Sequence, residues 1–323
     1  MLKSPHFCSS KDCVQLRINL LVLVFFMVFT SFCDPDKKVG SAGGNDTFAY
    51  QINAPDGKYE LPSYLEEVSG LSYCDHNKIA CVQDEKGKIY VLDLEQRKIG
   101  KKYDFGEDGD YEDIAVVDKI AYILENDGNI YRVKDFKKKD REVKKYNTPL
   151  REINNTEGLT YDPQTNSLLI ACKGSPSIHK ENRYEGYKAV YRFDLEKEEL
   201  EEDPLYLVDL ERLDSYIDRN AFIKLSLKVA RSLRLIESET SFQPSGISIH
   251  PLSGEIFIIS SVGKLLIILN REGKVLDVKE LDPEIFRQPE GICFSPEGDM
   301  YISNEGQGGK GYVLKFKFHE SQE

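Results

Sequence analysis

An all-β, five-bladed β-propeller of four-stranded antiparallel blades, carrying a short helical insertion, is the fold this sequence predicts, on three observations. A four-residue phrase recurs five times: Val68-Ser69-Gly70-Leu71, Tyr111-Glu112-Asp113-Ile114, Thr156-Glu157-Gly158-Leu159, Pro244-Ser245-Gly246-Ile247 and Pro289-Glu290-Gly291-Ile292. Its third residues stand at 70, 113, 158, 246 and 291, so the intervals are 43, 45, 88 and 45 residues. A period in the forties with strand content is the signature of propeller blades. Finally, the same order of short strands and glycine- or asparagine-bearing turns follows each phrase.

The elements can be taken in chain order. Lys3, Lys11 and Arg17 precede an apolar run, Leu20 to Phe29, which gives way to Thr30-Ser31-Phe32-Cys33. A basic start and a short apolar stretch describe a secretory signal better than a spanning helix. Cys33 stands where a lipoprotein signal peptidase leaves a lipid-modified cysteine, although Phe32 replaces the small residue usual before it. Simple secretion and an uncleaved anchor are the alternatives. The expected layout is a signal over 1–33, a tether over 34–47, the propeller over 48–318 and a tail over 319–323.

Within each unit the phrase opens a first strand, which ends in a polar turn such as Asp75-His76-Asn77-Lys78 or Pro163-Gln164-Thr165-Asn166. A second apolar strand follows, as in Ile79 to Val82, Ala121 to Leu124, Leu168 to Ala171, Ile256 to Ile259 and Met300 to Ile302. Glycine turns lead to third strands at Lys88 to Leu92, Asn129 to Val133 and Lys264 to Ile268. Positive φ at such hairpins suits glycine. More polar fourth strands, such as Lys274 to Val278, complete the blades. The 88-residue interval spans two periods, so a sixth, decayed blade is the alternative. Against it, Tyr187 to Asp194 and Leu205 to Leu210 read as the end of the third blade. Within the helical insertion at 211–240, Ala221 to Arg231 has apolar residues at helical spacing. The fifth blade lacks a fourth strand after Phe318, and the segment Phe48 to Leu61 is expected to supply it and close the ring.

Composition narrows the function. With 40% hydrophobic residues among 323, the bulk of the chain is not disordered. A net charge of -12 excludes a non-specific nucleic-acid binder, which needs clustered lysine and arginine. The run Lys137 to Lys139 is answered at once by Asp140 and reads as solvated surface. Cys74, Cys81, Cys172 and Cys293 form no CxxC pair and lie in apolar runs, so buried thiols are expected over zinc ligands. Cys74 and Cys81 flank one hairpin, and whether they pair is open. No nucleophile elbow, P-loop or dinucleotide fingerprint is present. His76 falls in a turn, His250 reads as a hydrogen-bonded structural residue, and His179 lies in an insertion of the third blade.

These phrases, together with Gly109-Asp110 before the second, Asn155 before the third, Gln243 and Gln288 before the last two, and Ser303-Asn304-Glu305-Gly306, resemble the SdiA-regulated (YjiK-like) β-propeller family. The resemblance runs from about Tyr64 to Phe318 and departs over 211–240. It implies an exported or envelope-anchored propeller, and fixes architecture better than activity.

In a blade the start of the first strand and the end of the second emerge on the same face. That geometry gathers Ser69, Glu112, Glu157, Ser245 and Glu290 near the axis. Asp84, Glu125, Asn126, Lys173, Asn304 and Glu305 are expected from second-strand ends. Glu112, Glu157 and Glu290 would repel unless a cation or raised pKa values relieve them. Hard oxygen donors without histidine suit Ca²⁺, while capped strand ends and channel water are the plain alternative. The expected function is a ligand-binding or interaction module of the cell envelope. Its partner would be a small molecule or an envelope protein, and its membrane contact the N-terminal anchor alone. A Ca²⁺-dependent phosphoesterase or lactonase, with metal-activated water, and a glycoside hydrolase are the alternatives. The absence of tryptophan weighs against the last.

Overall fold

The structure, a computed structural model, describes residues 48–179, 183–219 and 242–320. The signal, the Cys33 and tether expectations, and the helical reading of Ala221 to Arg231 lie outside the described residues. The chain enters through β1 (Gly57–Glu60) and then lays down five antiparallel sheets. Blade one is β2 (Val68–Asp75), β3 (Lys78–Gln83), β4 (Lys88–Asp93) and β5 (Lys98–Asp104). Blade two is β6 (Tyr111–Val117), β7 (Ile120–Glu125), β8 (Ile130–Lys134) and β9 (Glu142–Tyr146). Blade three is β10 (Thr156–Asp162), β11 (Ser167–Cys172) and β12 (Tyr187–Asp194). Its outer edge is split between β13 (Glu199–Leu200) and β14 (Tyr206–Asp209). Blade four is β15 (Gln243–Ile249), β16 (Ile256–Val262), β17 (Leu265–Leu269) and β18 (Val275–Glu280). Blade five is β19 (Pro289–Phe294), β20 (Met300–Asn304) and β21 (Tyr312–Phe316), with β1 as its fourth strand.

The ring closes as the sequence predicts. β1 pairs antiparallel with β21, Gly57 opposite Lys315 and Glu60 opposite Tyr312, so the last blade has no bare outer edge. There are five blades. The inner strands β10 and β15 pack directly side by side: a Cβ added at Gly158 would lie 2.9 Å from the Ile247 side chain. That contact leaves no room for a blade between the third and fourth. The insertion does start as a helix, α1 (Leu210–Arg219). Asp209 caps it by accepting the Arg212 N–H at 3.0 Å, and Leu213 is buried against blades three and four.

Local chemistry explains the strand ends. Each first hairpin turns through one residue of positive φ: Asn77 (52°), Asp118 (53°), Asn166 (47°), Gly254 (73°) and Gly298 (93°). Asn, Asp and Gly adopt that backbone most readily. Alternate strand residues then point into the two flanking interfaces, and each of the five interfaces holds its own apolar layer. Between blades one and two, for example, Ala80, Ile89, Ile114 and Ile123 are fully buried. The four body cysteines are free thiols, and Cys81, Cys172 and Cys293 are buried.

Candidate functional site

The recurring phrase is where each blade breaks its own ladder. Pairing of the first and second strands slips between Tyr111 and Asp113, Thr156 and Gly158, Pro244 and Gly246, Pro289 and Ile292, and Val68 and Leu71. A bulge leaves its extra residue unpaired and re-aims the side chain. The residues so released are Glu112, Glu157, Ser245, Glu290 and Ser69, one from each blade.

Three of them, Glu112, Glu157 and Glu290, lie near enough to act on one another's charge at an acidic mouth. Lys173, at the end of β11, donates from Nζ to Glu157 Oε1 at 2.9 Å, and its charge also acts on Glu290 and Glu112. Glu157 and Glu290 are 7% and 8% exposed, too buried for free carboxylates. Burial pushes Glu112 up to about 9, with Glu157, Asp110 and Glu290 adding repulsion and an Asn126 hydrogen bond opposing it. Burial, then Glu157 and Glu305, pushes Glu290 up to about 8. Glu157 is raised by burial and held back by Lys173. On the outer ring, burial and the neighbouring Asp84 and Glu67 raise Glu305 to about 7, and burial with Glu67 raises Asp84 to about 6.

The other expected residues divide. Asn126 is at the mouth, donating from Nδ2 to Glu112 Oε1 at 3.1 Å and also to Asn155 Oδ1. Asn304 is wholly buried, and among the described residues its Oδ1 has no hydrogen-bond partner. Ser245 is spent on architecture: its hydroxyl donates to Pro289 O of the next blade at 2.8 Å. At Ser69 it is the backbone carbonyl that is used, accepting from Ser303 Oγ at 2.7 Å. Glu125 is a correction. Its carboxylate turns outward along its own blade to Lys145 Nζ (2.6 Å) and Tyr131 Oη (3.2 Å), because adjacent strand residues face opposite sides and Asn126 takes the mouth side.

Among the described residues no group of three or more His, Cys, Asp or Glu side chains is close enough to hold a metal ion. Lys173 already supplies positive charge to the three glutamates. Sequence reasoning missed Asn155, Asp110 and Lys264. Lys264 comes to the mouth from blade four, where it feels Glu290 and Glu305. It is pinned by the carbonyls of Ser261 (3.0 Å) and Arg287 (2.6 Å). Its place directly after a turn glycine, ahead of β17, was the available signal.

His250 behaves as expected of a structural residue. Its Nδ1 accepts from the Ser253 N–H at 3.1 Å, and Tyr50, Phe257, Phe294 and Phe318 surround the ring. Burial pulls it down to about 4. His76 and His179 are exposed.

Two opposing pH effects follow. Carboxyls raised from 4.5 in the unfolded chain contribute stability that is complete below that pH and lost as pH climbs through about 7 to 9. His250, depressed from 6.5 to about 4, contributes stability that is complete above 6.5 and lost as pH falls toward 4. Several raised carboxyls outweigh one depressed imidazole, so the contribution of these groups to thermal stability should fall from about pH 5 to pH 9. At pH 8, Glu290→Gln should raise Tm by about 5 °C, and at pH 5 it should change little. Melts across pH 4–9 check this; an equal shift at both ends would reject the assignment of the alkaline loss to Glu290.

Comparison with known proteins agrees with this architecture. A family model described as SdiA-regulated matches residues 46–242. No curated protein sequence matches the chain. Among solved structures, glutaminyl cyclase of Myxococcus xanthus is similar at TM-score 0.51 and 11% identity, over 82% of this chain and 96% of that one. The PQQ-bound aldose sugar dehydrogenase of Streptomyces coelicolor matches at 0.47 and 12%, over 82% and 97%. A streptogramin B lyase matches at 0.45 and 12%, over 81% and 97%. At 11% identity the likeness to the glutaminyl cyclase is one of fold.

Proposed function

The chain belongs to the SdiA-regulated family, and from that premise we propose that it is a binding module of the cell envelope whose acidic mouth takes a small cation. The observation that carries this is the convergence of Glu112, Glu157 and Glu290, each released by the bulge of a different blade, around the single amine of Lys173. Glu305 and Asp84 add two more carboxyls held above their ordinary range, against the further amine of Lys264.

Carboxyls in that state favour an arriving positive charge, which lets them ionise. Two sources of the charge share this chemistry, a divalent ion such as Ca²⁺ and an organic ammonium. Hard oxygen donors suit Ca²⁺, but among the described residues no three carboxylates stand close enough to share one ion, so Ca²⁺ requires Lys173 to swing off Glu157 and the glutamates to close in. An ammonium could instead hydrogen-bond to the carboxyls alongside Lys173. Export rests on the Lys3 to Cys33 pattern.

Melts at pH 8 in CaCl₂, in putrescine and in NaCl of matched ionic strength test the proposal on protein recovered from membranes. A bound cation at 100 times its Kd should raise Tm by about 5–8 °C and release protons into weak buffer. Glu157→Gln should abolish the gain. Identical melts in all three salts would defeat the cation site. An intact mass retaining Leu20 to Phe29, or an unmodified Cys33 after cleavage, would remove the lipid anchor.

A further inference from the structure

The inner strands continue past their glycines to the opposite face, where they enclose a cavity of about 440 Å³. All five blades line it in register. Two residues beyond the third position of each phrase stand Ser72, Ala115, Thr160, Ser248 and Cys293. This is a belt of small side chains, four of them bearing hydroxyl or thiol groups. One residue farther out, Tyr73, Tyr161 and Phe294 form an aromatic rim. We propose that this far mouth is a second ligand site, for an uncharged, largely apolar small molecule that carries a hydroxyl or carbonyl oxygen.

Charge fixes the class. The one carboxylate in the wall, Asp162, is held by Arg271 Nη2 at 2.7 Å to each oxygen. His250 also lines the wall, and with Nδ1 accepting from the Ser253 N–H its ring is neutral. A charged ligand would lose its hydration here with nothing to answer it, whereas apolar walls with a few placed polar groups are the usual build of a small-molecule pocket.

Orientation comes from the hydroxyl belt. Ser72 Oγ accepts the Val116 N–H at 2.9 Å, which leaves its own proton to donate. Ser248 is 7% exposed, and among the described residues its hydroxyl has no partner. Its oxygen stays accessible from the cavity, free to pair with a ligand there. The volume falls within the range of pockets for drug-sized molecules, about 300–1,000 Å³.

The two mouths share no lining residue. Between them the inner strands crowd: a Cβ at Gly70 would lie 1.9 Å from Asp113 Oδ1, and Asp113 Oδ2 accepts the Leu159 N–H of the adjacent blade at 2.6 Å. The far site therefore stands independently of the cation proposal.

The test titrates the full chain with the uncharged fluorophore N-phenyl-1-naphthylamine, and with 1-naphthol as its oxygenated competitor. Wild type should bind the fluorophore saturably at one site. Ala115→Phe, which fills the cavity, should weaken binding at least tenfold, and Thr160→Leu does the same from another blade should the first variant melt early. Ser248→Ala keeps the volume and should spare the fluorophore, while weakening 1-naphthol about three- to tenfold. Cationic 1-naphthylmethylammonium should fail to compete. Non-saturable binding, equal binding by wild type and both filled variants, or displacement by the ammonium would overturn the site.

Discussion

Arg271→Ala is expected to lower the melting temperature by roughly 6–15 °C, a loss on the scale of truncating a buried core side chain. Arg271 lies in the turn between β17 and β18 of blade four, and its Nη2 sits 2.7 Å from both oxygens of Asp162 at the end of β10 in blade three. Gln164 Oε1 accepts from the same nitrogen at 3.0 Å. Asp162 is 2% exposed and is also tied into its own turn, accepting from the Gln164 N–H at 3.1 Å and from Thr165 Oγ1 at 2.8 Å.

Truncating the arginine leaves that carboxylate buried without its counter-charge, a loss of about 3–5 kcal/mol. A surface pair of the same geometry would be worth at most about 1 kcal/mol, so magnitude separates the two cases. In a double-mutant cycle with Asp162→Ala, the double variant should be little worse than either single one. Denaturant melts decide it. A loss below about 1 kcal/mol for Arg271→Ala would mean the pair is solvent-screened and does not lock blade three to blade four.

That inter-blade bond was not legible in the sequence, and the reason is general to this fold. Repeats separated by a fixed period reveal the blade and its strands, because a four-stranded unit must restart its hydrophobic alternation each time. They also reveal which residue opens each inner strand, so Glu112, Glu157 and Glu290 could be placed together. The residues do not reveal which way a side chain turns at a strand end. Glu125 and Asn126 are neighbours, yet only Asn126 faces the mouth. Nor do they reveal which hydroxyl is consumed: Ser245 occupies the same bulge position as Glu157, but its short side chain finds Pro289 O first. Lys173 was foreseen at the mouth, though its bond to Glu157 depends on a reach that no spacing encodes. Asp113 was legible and passed over. It is the one phrase whose third residue is not glycine, and its carboxylate accepts backbone N–H groups from blades two and three.

Gly70→Ala should abolish the fold or cost more than about 4 kcal/mol, although the change adds one methyl group. The new Cβ would stand 1.9 Å from Asp113 Oδ1 and 2.3 Å from its Cα. Rotating a side chain cannot relieve a clash with a backbone atom. Blade two cannot retreat either, because Asp113 anchors it by accepting the Ile114 N–H at 2.8 Å and the Leu159 N–H at 2.6 Å. The same crowding recurs around the axis, where a Cβ at Gly246 would meet Glu290 O at 2.4 Å and one at Gly291 would meet Ser69 O at 2.7 Å. Inner strands this close have room for four glycines and one carboxylate that satisfies their backbone donors.

Asp113→Asn keeps the shape but turns an amide N–H toward one of those donors, so it should cost about 1–3 kcal/mol and leave the protein folded. The pair of variants separates steric closure from charge. If Gly70→Ala melts within a few degrees of wild type, the waist is open, and a ligand entering at the hydroxyl belt could reach the glutamates. If it collapses while Asp113→Asn survives weakened, the waist is a septum. The acidic mouth and the uncharged far mouth then bind independently, and a cation that saturates one end leaves affinity at the other unchanged.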